Sequence, residues 1–117
     1  MGFPTLKKFI LQEYSGIQYA EDELMFVVTS AGIISGKPFR YEENVAIPDY
    51  ANFLKKKASE YRISNNIKKG VSLDGDDGFF VLTDVTLKSS SAPTTKFPYL
   101  VIFYDQVIGV SFGSYSD

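Results

Sequence analysis

Residues 25–38, MFVVTSAGIISGKP, decide between two interpretations of the N-terminal third of the chain. A nucleotide-binding loop would need glycine in place of Ala31 and serine or threonine in place of Pro38. Proline also lacks an amide hydrogen and resists the helix that should begin there. The same residues fit a hairpin, because apolar and β-branched residues lie on both sides of a short glycine-containing connection. The stretch therefore predicts two strands, over about 24–30 and 33–40.

The composition is that of an ordinary globular chain, and it excludes several kinds of site. With 117 residues, 44% hydrophobic and 22% charged, we expect one domain over residues 1–117. The chain has no cysteine and no histidine, which excludes thiolate sites, disulfides and histidine-based catalysis. No run is long and apolar enough for a membrane span, so we expect a cytoplasmic protein without membrane contact. We expect no enzymatic activity, no cofactor and no metal.

Helical spacing of apolar residues predicts two helices. The first covers about residues 5–15, with Leu6, Phe9, Ile10 and Tyr14 on its apolar face and Thr5 as its N-cap. The second follows Pro48, and its apolar face would consist of Tyr50, Phe53, Leu54, Ala58 and Tyr61. Its three consecutive lysines, Lys55, Lys56 and Lys57, fit either a solvated face or a contact to phosphate.

The C-terminal half predicts three further strands. The first covers about 79–88, where alternation would place Val81, Thr83, Val85 and Leu87 on one side. A flexible loop over 89–95 would lead to strands over 97–104 and 106–113, with the chain reversing at Asp105 and Gln106. The acidic segment 74–78 lacks the ligand spacing of a calcium loop and predicts a solvated turn. Asp84, late in the first of these strands, fits either a special environment or an ordinary hydrogen bond to the backbone at the strand end.

Taken in order, these elements resemble the Sm/LSm family of small RNA-binding barrels. The first motif resembles Met25-x-Val27-x-Thr29-x-x-Gly32, the third strand resembles 80–85, and the second motif resembles 100–110. The resemblance covers about residues 5–40 and 77–113, and a helix-bearing insertion occupies about 41–75. It implies a mainly β fold, a small, strongly bent, five-stranded barrel with an N-terminal helix and an inserted helix between strands 2 and 3. A related small barrel or a longin-like domain of helices and strands is the alternative.

The resemblance also implies a function. Family members stack a base on an exposed side chain, read its edge with an amide or carboxylate, and hold the backbone with a cation. The positions that the resemblance suggests in this sequence are Asp77, Phe79, Phe103, Tyr104 and Asp105. Lys37, at the end of the second strand, is a further candidate for contact with the nucleic-acid backbone. We therefore expect a homo-oligomeric ring of about five to seven subunits that binds single-stranded RNA or DNA as a non-catalytic chaperone or scaffold. The alternative is a ring for protein contacts without nucleic-acid binding.

Overall fold

A computed structural model of the chain describes residues 4–16, 22–39, 48–68, 71 and 73–114. The elements in chain order are α1 (Leu6–Gly16), β1 (Leu24–Thr29), β2 (Gly32–Pro38), α2 (Asp49–Ser64), β3 (Phe79–Ser89), β4 (Ala92–Phe103), a 3₁₀ helix (Tyr104–Gln106) and β5 (Gly109–Gly113). The chain divides into two compact units. We call Met1–Phe39 with Leu73–Asp117 the sheet unit, and Arg40–Ser72 the inserted unit.

The sheet unit is built on one five-stranded antiparallel sheet in the order β4-β3-β2-β1-β5. This confirms the predicted mainly β fold, with a helix before the first strand and another between strands 2 and 3. In the described part of the chain the sheet is open, with β4 and β5 at its two edges. Such an arrangement is consistent with a strongly bent barrel.

The stretch that opens the sequence analysis forms the β1–β2 hairpin. Thr29 pairs with Gly32 across a two-residue turn, and the Thr29 hydroxyl accepts a hydrogen bond from the Ala31 amide at 3.2 Å. Gly32 has a φ of +140°, and a Cβ at this position would overlap the carbonyl oxygen of Lys88 on β3. Glycine is therefore required here both by backbone conformation and by the close approach of the neighbouring strand.

A bulge in β3 changes which residues face the core. Asp84 has a φ of +51°, and the β2–β3 register shifts between Ser35 and Lys37, opposite this point. The buried side chains are consequently Phe80 and Leu82 before the bulge and Val85 after it. The predicted alternation, with Val81 and Thr83 on the side of Val85, was wrong because one extra residue shifts the phase of the strand.

The two C-terminal strands also differ from the prediction. β4 begins at Ala92, which pairs with Ser89 across a two-residue turn, so most of the predicted loop over 89–95 belongs to a hairpin, with a shift of register between Leu87 and Ser89. The predicted reversal at Asp105 and Gln106 is a 3₁₀ helix, and β5 begins only at Gly109. The serine- and threonine-rich composition suggested a loop, but pairing with β3 stabilises these residues as a strand.

α1 packs on the core through a different face from the one predicted. The Thr5 hydroxyl accepts a hydrogen bond from the Lys8 amide at 3.1 Å, which caps the helix as expected. The helix buries Lys8 and Leu11, each 2% exposed, and Tyr14 packs partly against the core. Three of the four residues predicted to face the core are exposed instead, namely Leu6 (74%), Phe9 (55%) and Ile10 (39%). Because the helix turns the side of Lys8 and Leu11 toward the core, its most apolar stripe lies on the exposed side.

The buried lysine is accommodated by its two chemically different parts. Its ammonium group donates a hydrogen bond to the carbonyl oxygen of Leu73 and lies 5.9 Å from the ring centroid of Tyr104. Its aliphatic stem can pack like an apolar side chain, and the ammonium is stabilised by the carbonyl and the ring face. Lys8 therefore ties α1 to the segment that precedes β3 and to the 3₁₀ helix.

The inserted unit contains α2, which begins directly after Pro48. The carbonyl oxygen of Pro48 accepts hydrogen bonds from the amides of Ala51 and Asn52 at 3.0 and 3.1 Å. Beyond the helix, the guanidinium group of Arg62 donates to two carbonyl oxygens of the same unit, those of Lys68 at 3.2 Å and Val71 at 2.6 Å. Phe53 and Tyr61 are 59% and 49% exposed, so the predicted apolar face is wrong at these two positions. No helix in the described residues is long and apolar enough to cross a membrane.

Candidate nucleic-acid interface

Two phenylalanines meet at the end of the β3–β4 ladder. Phe79, the first residue of β3, pairs with Phe103, the last residue of β4. Their ring centroids lie 6.0 Å apart with an interplanar angle of 67°, an edge-to-face arrangement. Phe103 is 55% exposed and Phe79 is half-buried. One ring therefore presents a free aromatic face while the other supports it.

Two carboxylates lie beside this pair, one on each strand extension. The amide of Tyr104 donates to the carbonyl oxygen of Gly78 at 3.1 Å, which holds the two extensions together beyond the last strand pair. Asp77 and Asp105 lie one residue further along each extension, and both are exposed. The carboxylate of Asp105 accepts a hydrogen bond from the side-chain amide of Gln106 at 3.3 Å. This end of the sheet thus combines an aromatic surface with hydrogen-bond acceptors.

Tyr104 differs from the other predicted site residues because it is buried. It is 6% exposed, and its ring stacks on Phe80 with centroids 5.8 Å apart at 25°. Burial raises the pKa of Tyr104 above its ordinary value, and a hydrogen bond with Gln12 partly offsets this effect. The ring is therefore part of the core and is not available to stack on a base.

Gly78 fits closely over the Tyr104 ring. Its φ is +118°, and a Cβ at this position would lie 2.8 Å from the Cε2 atom of Tyr104. The chain can cross the buried ring and enter β3 only because this residue has no side chain. Gly78 and Tyr104 thus fix the chain where it enters β3 beside Phe79 and leaves β4 after Phe103.

Lys37 lies on the same face of the sheet, two strands away from β4. It pairs with Thr83, which in turn pairs with Tyr99, and residues directly opposite each other share a face of the sheet. Tyr99 is 38% exposed and lies four residues before Phe103, so strand alternation places both on this face. The distance along the strand between them is roughly 13 Å. Sequence reasoning missed Tyr99, although its spacing from Phe103 along an alternating strand was a usable signal.

The candidate interface is therefore the outer face and end of β3–β4, and it comprises Lys37, Asp77, Phe79, Tyr99, Phe103 and Asp105. Five of the six predicted residues, all except Lys37, are brought to one end of the sheet, and four of these are at the surface. Among the described residues, no group of three acidic side chains could hold a metal ion. The chemistry available at this interface is stacking, hydrogen-bond acceptance and a single positive charge.

No protein-family model matches the chain, and no curated protein sequence matches it. The resemblance to the Sm/LSm family rests on the motifs quoted above.

Proposed function

We propose that the chain binds single-stranded RNA or DNA in a non-catalytic role, as a chaperone or scaffold in the cytoplasm. The observation that carries this proposal is the exposed aromatic pair at the end of β3–β4, with Tyr99 on the same face. Stacking of a base on an aromatic side chain contributes about 1–3 kcal/mol and tolerates any base. Two stacking positions roughly 13 Å apart along one strand are suited to two separate, non-adjacent bases of an unpaired strand, which expose their π faces.

The carboxylates would give such a site a base preference. Ionised Asp77 and Asp105 can only accept hydrogen bonds, so they pair with base edges that carry N–H donors. Guanine presents two adjacent donors, N1–H and its amino group, to one carboxylate; cytosine and adenine each present an amino group, and uracil presents its N3–H alone. We therefore expect oligonucleotides rich in guanine, cytosine or adenine to bind at least as well as oligo-U.

We also propose that the protein forms a closed ring of identical subunits. The unpaired backbone groups of edge strands promote association with another strand, and β4 is a twelve-residue edge. The opposite edge is β5, near which Ile108 and Phe112 are 71% and 51% exposed. Pairing of β4 of one copy with β5 of the next is head-to-tail, so it must either close or form a fibre. The family resemblance implies closure with about five to seven subunits.

The binding proposal is tested by titration of labelled single strands of each base composition at low salt. The double variant Phe79→Ala/Phe103→Ala should bind roughly 10- to 100-fold more weakly, because it loses at least one stacking contact. Phe9→Ala is the matched control, since Phe9 is as exposed as Phe103 but lies on α1. Absence of measurable binding by the wild-type protein to any single strand at low salt would refute the proposal.

The ring proposal is tested by light scattering at several protein concentrations. A mass of several subunits that does not grow with concentration is the expected result. A monomer mass at all concentrations would contradict it, and a mass that increases without limit would indicate an open fibre.

The second candidate function is a ring for protein contacts alone. It is favoured by charge, because the sheet unit carries five Lys or Arg and ten Asp or Glu and should repel phosphate. It is also favoured by the exposed apolar residues of α1, Leu6, Phe9 and Ile10. A ring mass together with no binding of single strands at low salt would support this alternative over the first.

A further inference from the structure

Positive charge in this protein is concentrated in the inserted unit. Residues 40–72 carry seven Lys or Arg and four Asp or Glu, whereas the remainder carries five and ten. The formal net charge is therefore +3 for the inserted unit and −5 for the sheet unit. The inserted unit is therefore the part of the chain whose net charge attracts a polyanion, whereas the net charge of the sheet unit repels it.

One face of α2 combines these cations with an aromatic ring. Phe53, Lys56, Lys57 and Glu60 are spaced at i, i+3, i+4 and i+7, which places them side by side on a helix. All four are exposed, and Phe53 retains 59% of its accessible surface. The ammonium group of Lys57 lies 5.7 Å from the ring centroid of Phe53 and 3.1 Å from the Glu60 carboxylate.

The cations of this face differ from Arg62 in how firmly they are held. Arg62 binds two carbonyl oxygens within its own unit and has a structural role there. The Lys57–Glu60 pair, by contrast, is half exposed on both sides, with side-chain accessibilities of 55% and 50%. Exposed ion pairs of this kind are weak and exchange readily with other charged partners. A phosphate could therefore take the place of Glu60 beside Lys57.

We propose that this face of α2, formed by Phe53, Lys56, Lys57 and Glu60, is a second contact surface for single-stranded nucleic acid. The lysines bind backbone phosphates and the Phe53 ring stacks on a base. The proposal takes its ligand from the proposed function but assigns a separate surface to it. A membrane is the less favoured anionic partner, because an interfacial helix needs a broad apolar face and this face has one aromatic ring beside two lysines and a glutamate.

The test is fluorescence anisotropy with labelled oligo-A over a series of salt concentrations. Each phosphate contact contributes about 0.7 to the slope of log affinity against log salt for single strands. Lys56→Gln/Lys57→Gln should therefore lower the slope by about 1.4, and it should weaken binding roughly 25-fold at 0.1 M salt. Phe53→Ala should weaken binding with little change in slope.

Two further variants separate the face from the overall charge. Lys55→Gln/Lys68→Gln removes the same charge from the same unit, but Lys55 lies on another side of α2 and Lys68 lies beyond its end. This control should keep most of the wild-type affinity, and an equal loss in both double variants would overturn the assignment to this face. Glu60→Gln should tighten binding several-fold, because it removes both the competing carboxylate and its repulsion of phosphate.

The outcomes distinguish this inference from the proposed function. If Lys56→Gln/Lys57→Gln binds like the wild type while Phe79→Ala/Phe103→Ala does not, the α2 surface is refuted and the sheet site stands. If Phe79→Ala/Phe103→Ala has no effect but binding depends on the lysines, the α2 surface stands alone. Failure of the wild type to bind any single strand refutes both. Lysine-dependent binding to phosphatidylserine vesicles in that case would identify a membrane as the partner.

Discussion

Replacement of Gly32 by alanine should destabilise the sheet unit strongly, for two separate reasons. A φ of +140° is a conformation that glycine adopts freely and other residues adopt at a cost of about 1–3 kcal/mol. The new Cβ would also overlap the Lys88 carbonyl oxygen, so the rung between Ile33 and Lys88 has to open. Loss of its hydrogen bonds adds about 1–2 kcal/mol. We therefore expect the free energy of unfolding to fall by about 2–5 kcal/mol, a large part of the 5–15 kcal/mol typical of a folded protein.

Urea denaturation followed by circular dichroism measures this loss. For a slope of about 2 kcal/mol per molar urea, a loss of 4 kcal/mol lowers the midpoint by about 2 M. Gly75→Ala is the matched control, because Gly75 has a φ of +58° but open space around it, so only the conformational cost of about 1–2 kcal/mol applies. If Gly32→Ala destabilises the protein no more than Gly75→Ala does, β2 and β3 do not approach each other at Gly32 as closely as described.

Two further predictions concern α1 and the core beneath the interface. In urea denaturation, Leu11→Ala should lower the free energy of unfolding by about 2–5 kcal/mol, because it leaves a cavity in the core. Leu6→Ala should change it by less than about 0.5 kcal/mol, because Leu6 is exposed. The reverse order would mean that α1 packs through the face predicted from sequence. Burial raises the pKa of Tyr104, so the folded state keeps this proton at a pH where the unfolded state loses it. The contribution of Tyr104 to stability is thus complete below about pH 10 and declines above it, so the stability of the wild type relative to Tyr104→Phe should fall as the pH rises above about 10. A constant difference over that range would contradict the buried environment of the ring.

The strands were predictable from sequence where turn chemistry and alternation agree. The β1–β2 hairpin follows from an apolar run, a glycine and a second apolar run, and the structure pairs Thr29 with Gly32 as this pattern requires. The phase of β3 was not predictable, because it depends on one residue, Asp84, with a positive φ. Nothing in the local pattern distinguishes a bulged aspartate from one on a regular strand.

The face of α1 was unpredictable for a related reason. Sequence patterns treat lysine as polar, so the predicted apolar face of α1 included Leu6 and did not include Lys8. The carbonyl of Leu73 and the ring of Tyr104, both far along the chain, make burial of the ammonium acceptable. Tyr104 was predicted at the binding surface from the family resemblance, but Phe80, Gly78 and Lys8 all lie against its ring and bury it.

The inserted unit also has a consequence for how the protein folds. The β1–β2 and β3–β4 hairpins each close over a two-residue turn, but the 40 residues between Pro38 and Phe79 separate the two neighbours β2 and β3. Closing a connection of 40 residues instead of 10 costs about 1.2 kcal/mol more in chain entropy. Both hairpins can therefore form early and locally, while their joining into one sheet is the slow step. During that interval the open edge of β2 can accept β3 from another molecule, so exchange of strands between copies is the characteristic hazard of refolding at high concentration.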